Sequence, residues 1–214
     1  MSLDGDRFRP ADPLTRYEFT QALVGMFFAL DRGASAAFSD VAEDSPFYPY
    51  VASAQAAGIV AGLPDGTFGG EQNITVEQML VIAASTLINQ KGYLEPEDPD
   101  TYLALCPGAS VAGDWSRVQV ALAIREGLVA QGDPLDITAV SSREQAALIL
   151  YRLFLELYEV PPVALELPEQ SGELPIIPIA AGCALLAAAA VAGGVVLRSK
   201  KAPAQSRKEE QQEE

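Results

Sequence analysis

Three stretches of the chain carry one hydrophobic phase. Phe19, Ala22, Leu23, Met26, Phe27 and Leu30 follow the i, i+3, i+4, i+7, i+8 spacing of a single buried helix face. Met79, Ile82, Ala83, Thr86 and Leu87 repeat it 60 residues later, and Ala146, Ile149, Leu150, Leu153, Phe154 and Leu157 repeat it 127 residues after the first. Each run opens in the same way: Leu14-Thr15-Arg16-Tyr17-Glu18, then Ile74-Thr75-Val76-Glu77-Gln78, then Ser142-Arg143-Glu144-Gln145. A Thr or Ser at that point suits an N-cap, and Glu or Gln in the first turn closes a capping box or complements the helix dipole. The pattern predicts three amphipathic helices with a shared entrance.

A second helix precedes two of them. Tyr50 to Val60 aligns with Gln119 to Val129 at an offset of 69, and Gly58 and Gly127 fall where a helix C-terminus favours a left-handed residue. Gly62-Leu63-Pro64-Asp65-Gly66-Thr67-Phe68 then predicts a Pro-Asp-Gly turn that presents an aromatic anchor. Asp4-Gly5-Asp6-Arg7-Phe8 echoes that turn, so the first unit begins halfway through, without its leading helix.

Composition divides the chain further. Residues 1–175 hold nine basic and 25 acidic side chains, whereas Arg198 to Glu214 hold five and four. Leu174 to Leu197 carries no charge and is followed by Arg198, Lys200 and Lys201. A bilayer core is crossed by about 20 helical residues, so this stretch predicts a transmembrane helix, with the basic side cytoplasmic and residues 1–173 outside. The net charge of −15 argues against a partner that is a nucleic acid. Histidine is absent, which removes Ser-His-Asp and Cys-His catalysis and His-based metal sites. Cys106 and Cys183 lie in unrelated contexts, so no disulfide framework is expected, and Cys106 reads as a free thiol in a loop-like stretch. The carboxylates of Glu95-Pro96-Glu97-Asp98-Pro99-Asp100 are interrupted by proline and read as a solvated loop rather than a calcium site.

Phe38-Ser39-Asp40-Val41, the helix through Tyr48, Tyr50, Val51 and Ala54, Gly58-Ile59-Val60, Asp65-Gly66-Thr67-Phe68 and Ile74-Thr75-Val76-Glu77-Gln78 follow in order. Together they resemble one S-layer homology repeat. Residues 4–32 resemble the back half of such a repeat, and residues 113–158 resemble a third, diverged one opening at Trp115. The resemblance implies an all-α fold in which tandem helix-loop-helix repeats form a pseudo-threefold bundle. It also implies binding of secondary cell-wall polymer, such as a pyruvylated glycan, through a Thr-Arg-Ala-Glu-like motif at the helix entrance. Carried onto this sequence, the motif is Thr15, Arg16 and Glu18 in the first repeat, and Ser142 and Arg143 in the third, with Gln145 in place of the glutamate. Val76 stands where the second repeat would have its arginine. Trp115, like Tyr48 and Tyr50, opens a leading helix, where an aromatic ring can either stack on a sugar or pack in the core.

Physical chemistry is consistent with those roles. A helix N-terminus offers free N–H groups and a positive dipole end to a compact anion, and arginine adds a planar fork suited to a carboxylate. Several weak sites would act together. The expected organisation is a partial repeat at 1–32, a repeat at 38–90, a linker at 91–112 and a diverged repeat at 113–158. A Pro/Glu-rich stalk at 159–173, a transmembrane helix at 174–197 and a charged tail at 198–214 would follow.

The whole reads as a non-catalytic surface anchor with no cofactor or metal. Its partners would be wall polymer or peptidoglycan-linked glycan and the lipid bilayer, with a second copy as a further candidate. Two rival readings are a sortase-processed wall protein, suggested by Leu167-Pro168-Glu169 ahead of the apolar run, and the anchor portion of a longer surface enzyme. Met1 to Asp6 carries no apolar signal, so either the span directs insertion or the natural chain starts upstream; the halved first repeat favours the latter.

Overall fold

The computed structural model describes residues 7–130, 132 and 135–159. The stalk beyond Glu159, the membrane helix expected at 174–197 and the tail at 198–214 lie outside the described residues. Among the described residues, no helix is long and apolar enough to cross a membrane. The regular structure there is helical, with no strand beyond isolated bridges. The helices are α1 (Arg16–Phe27), α2 (Tyr48–Ala56), α3 (Val76–Lys91), α4 (Pro99–Leu103), α5 (Arg117–Arg125) and α6 (Arg143–Tyr158), with one 3-10 turn at Ala109–Val111.

The three expected entrances form as capping boxes. Thr15 Oγ1 accepts from the Glu18 N–H at 3.2 Å while the Glu18 carboxylate accepts from the Thr15 N–H at 2.8 Å. Thr75 with Gln78 and Ser142 with Gln145 repeat the arrangement. These reciprocal bonds satisfy donors that a helix start otherwise leaves open. Gly58 and Gly127 follow α2 and α5 at φ 70° and 73°, in the left-handed region expected for them.

Backbone hydrogen bonds then tie the entrances into a closed cycle. The N–H groups of Arg16 and Tyr17 donate to the carbonyls of Gln72 and Gly70, just ahead of the second entrance (both 2.9 Å). Those of Val76 and Glu77 donate to Ala139 and Ile137 ahead of the third, and those of Arg143 and Glu144 donate to Asp12 and Pro10 ahead of the first. The bridges Thr15–Asn73, Thr75–Val140 and Pro13–Ser142 follow the same order. Helix starts that would otherwise need water are thus satisfied by the neighbouring segment. The paired segments place Leu14, Ile74 and Ser141 fully inside.

Around this cycle, α2 packs on α1, α5 on α3, and α6 on α3 and α1. Residues 91–112, expected as a linker, instead carry α4 and the 3-10 turn and bury Leu103, Cys106, Ala109 and Ala112 in the core. The acidic stretch expected as a solvated loop has structural work here. Asp98 caps α4, its carboxylate accepting from Thr101 Oγ1 at 2.6 Å, and Asp100 accepts from Arg117 Nε at 2.9 Å. The hydrogen bond from Thr101 holds the Asp98 carboxyl below its ordinary range. Cys106 is a free thiol but buried, donating to the Ala130 carbonyl.

Candidate functional site

Where one entrance meets the loop of the next unit, a seam forms, and the seams differ in side chains. In the first, the Arg16 guanidinium lies 4.8 Å from the centre of the Phe68 ring, and its Nη2 donates to the Ala61 carbonyl at 2.8 Å. Arg16 is only 7% exposed, and its Nε is buried with no hydrogen-bond partner. Burial pulls the guanidinium below its ordinary range. Beside it, Tyr17 stacks on Phe47 with ring centres 4.6 Å apart and 3° between planes. The face of Gly70 permits this, because a Cβ there would stand 2.1 Å from the Tyr17 ring.

Asp40 fixes the loop that supplies Phe68. Its two carboxylate oxygens accept from the N–H groups of Phe68 (2.6 Å) and Gly69 (2.8 Å). This gives a physical role to Asp40 within Phe38-Ser39-Asp40-Val41. In the turn itself, Asp65 accepts from the hydroxyl of Thr67 at 2.6 Å and from its N–H at 3.0 Å, which holds the Asp65 carboxyl below its ordinary range.

The second seam has no arginine. Val76 occupies that register and is buried, while Leu135 occupies the register of Phe68. Where the first seam stacks Tyr17 on Phe47, the second sets Glu77 against Ser116, whose hydroxyl donates to the carboxylate; the Gly113 N–H donates to it as well, at 3.1 Å. Trp115, two residues after Gly113, is 58% exposed, and its ring stands where a Cβ on Gly113 would have to go.

The third seam has its arginine again. Arg143 Nε donates to the Phe8 carbonyl at 2.9 Å, and the guanidinium lies 5.4 Å from the Phe8 ring centre. Arg143 Nη1 also stands 3.8 Å from Glu18 Oε1, so the structure brings Glu18 and Arg143 together. Arg16 and Arg143 thus sit in separate seams, both buried and both laid over the aromatic anchor of a neighbouring unit. Thr15, Ser142 and Gln145 serve the capping boxes, as does Glu18. Tyr48 and Tyr50 pack against the core.

Sequence reasoning named the arginines but missed the carbonyl of Ala61, the Asp40 cradle and the narrow face at Gly70. The turn aromatics Phe8 and Phe68, 60 residues apart like the entrances at Thr15 and Thr75, were the available signal. An open cleft of about 480 Å³ beside α4, lined by Glu95, Asp98, Tyr102 and Arg125 among others, lies apart in sequence from the entrances; there Arg125 is already engaged by the Leu94 carbonyl and Glu126. Among the described residues no cluster of Cys, Asp and Glu could hold a metal ion.

The order of Asp40, the leading helix, the Asp-Gly-Thr-Phe turn and the capped entrance is the decisive feature, and residues 37–80 match the corresponding family. The matching family model is the S-layer homology domain. The first of the cyclic seams joins this matched segment to α1. Over 151 residues, 69% of its length, the chain is also 28% identical to the exoglucanase XynX of Acetivibrio thermocellus. It spans only 13% of that relative.

Proposed function

We propose that this chain is a non-catalytic anchor of the cell surface, whose repeats grip an acidic wall glycan at the seams between units. An S-layer homology domain supports attachment to the cell wall. The cycle of backbone bonds supports a pseudo-threefold bundle of three units. The observation that carries the binding reading is Arg16: a desolvated fork over an aromatic ring, with one N–H lacking an acceptor. A buried donor without a partner is costly, and a ketal carboxylate entering the seam would supply the acceptor. Arg143 offers the same residue type over Phe8. The second seam, with Val76 and the negative Glu77, lacks the charge an anion needs.

The uncharged stretch from Leu174 to Leu197 then acts as a membrane helix, so that the protein links wall polymer outside to the bilayer, with its charged tail in the cytoplasm. Pull-down of the protein with purified wall carbohydrate, before and after removal of ketal groups, tests the reading. Retention that depends on the ketal is expected; retention indifferent to it refutes a carboxylate ligand. A second reading draws on the relative named above, an exoglucanase: these residues would be the anchor portion of a longer surface enzyme. Mass analysis of the natural protein from cell envelopes decides between the two. It also reveals sortase processing, which would leave a product ending before Leu174.

A further inference from the structure

Among the described residues, the buried side-chain atoms without a hydrogen-bond partner are Arg16 Nε and Thr20 Oγ1. Both residues lie on one face of α1, since positions four apart stand on successive turns, about 6 Å along the axis. Thr20 is fully buried and Arg16 nearly so. A buried threonine in a helix has an outlet close by, the carbonyl one turn back. Thr86 on α3 uses it, its hydroxyl donating to the Ile82 carbonyl at 2.9 Å. Thr20 does not. Nor does the fold ask for a hydroxyl there, because α3 has Leu80 and α6 has Ala147 at the same register. For Arg16, the Ala61 carbonyl engages Nη2 and the Phe68 ring lies against the guanidinium, which leaves Nε as a donor in want of an acceptor.

We propose that Thr20 is a specificity-determining residue of the first seam, its hydroxyl and Arg16 Nε donating together to the oxygens of one carboxylate. The inference rests on the reading of that seam as an acidic-glycan site and names a second group that reads the ligand. An ionised carboxylate has two oxygens that only accept, so it satisfies two donors at once. Such bonds are charge-assisted, and they are strongest away from water. Two buried groups left unmet destabilise the fold, and a ligand that satisfies both recovers that loss on binding. The seams are then unequal. The third keeps Arg143 over Phe8, but its Nε already donates to the Phe8 carbonyl and Ala147 supplies no hydroxyl. The first seam is therefore the tighter carboxylate site.

The test titrates ketal-bearing wall carbohydrate against the full chain in mild detergent and follows the helical circular-dichroism melt of the same samples. Thr20→Val removes the hydroxyl and keeps the shape, so binding should weaken about tenfold. Its melting temperature should stay level or rise, because the group removed had no partner. Thr20→Ser should bind as the parent does, and so should Thr86→Val, whose hydroxyl serves its own helix. A purely structural Thr20 would give the reverse in Thr20→Val, a lower melt with binding intact. Ketal-dependent binding that Thr20→Val leaves untouched, as for a hydroxyl that meets a bridging water only, would overturn the role of Thr20 and spare the reading of the seam. Thr20→Ser binding no better than Thr20→Val would overturn it as well. Parent binding indifferent to the ketal would overturn both.

Discussion

The first and second seams share a backbone and share almost nothing else. In both, two N–H groups of a helix start donate to carbonyls four and six residues ahead of the next entrance's first helical residue. Upon that common frame, the first seam carries Arg16, Phe68, Gly70 and the Tyr17–Phe47 stack, and the second carries Val76, Leu135, Ile137 and the Glu77–Ser116 bond. The substitutions are concerted. Where the cation is gone its aromatic platform is gone, and where the stack is gone a hydrogen bond replaces it. The backbone cycle therefore carries the fold, and the side chains laid over it are free to divide between cohesion and recognition.

The largest effect that separates the seams should come from Gly70→Ala. Its methyl would stand on the Tyr17 ring and force apart the first seam, at a cost of about 3 kcal/mol in urea unfolding. The second seam already accommodates Ile137 at that register, so an ordinary cost at position 70 would break the distinction. Next comes Glu77→Ala, which strips the acceptor from the Gly113 N–H and the buried Ser116 hydroxyl. A loss of about 2 kcal/mol is expected, most of it recovered in Glu77→Gln, whose carbonyl can still accept.

The caps should behave alike in all seams. Thr15→Ala, Thr75→Ala and Ser142→Ala are each expected to lower stability by about 1 kcal/mol, because each closes the same box. Unequal costs would show that the entrances are not equivalent. The smallest effect concerns Tyr93, which donates to Glu156 of α6. Burial, with the nearby Glu156, raises the phenol above its ordinary value. The folded chain therefore keeps a proton that the unfolded chain loses, so this stabilisation is full below about pH 10 and is lost as the pH rises toward the folded value. Tyr93→Phe should flatten the fall in melting temperature above about pH 10.

Much of this was legible in the chain. The helices α1, α3 and α6, their capping residues and the left-handed Gly58 and Gly127 follow from periodicity and local chemistry, which act over a few residues. The helix α4 did not show, since five residues are too few to display a period and Pro96 and Pro99 read as interruptions. The closed cycle was equally hidden: it is made of backbone groups distant in sequence, and side-chain patterns do not report them. The burial of Arg16 and Arg143 was also unreadable, because a charged residue at a helix start looks solvated until the neighbouring unit's aromatic ring is in place.

The most direct test compares binding of wall glycan by Arg16→Met, Arg143→Met and Val76→Ala, each checked for an intact helical spectrum. Loss of retention in both arginine variants, with Val76→Ala binding as the parent does, is the expected result. Undiminished binding after both arginines are replaced together would contradict recognition at the seams.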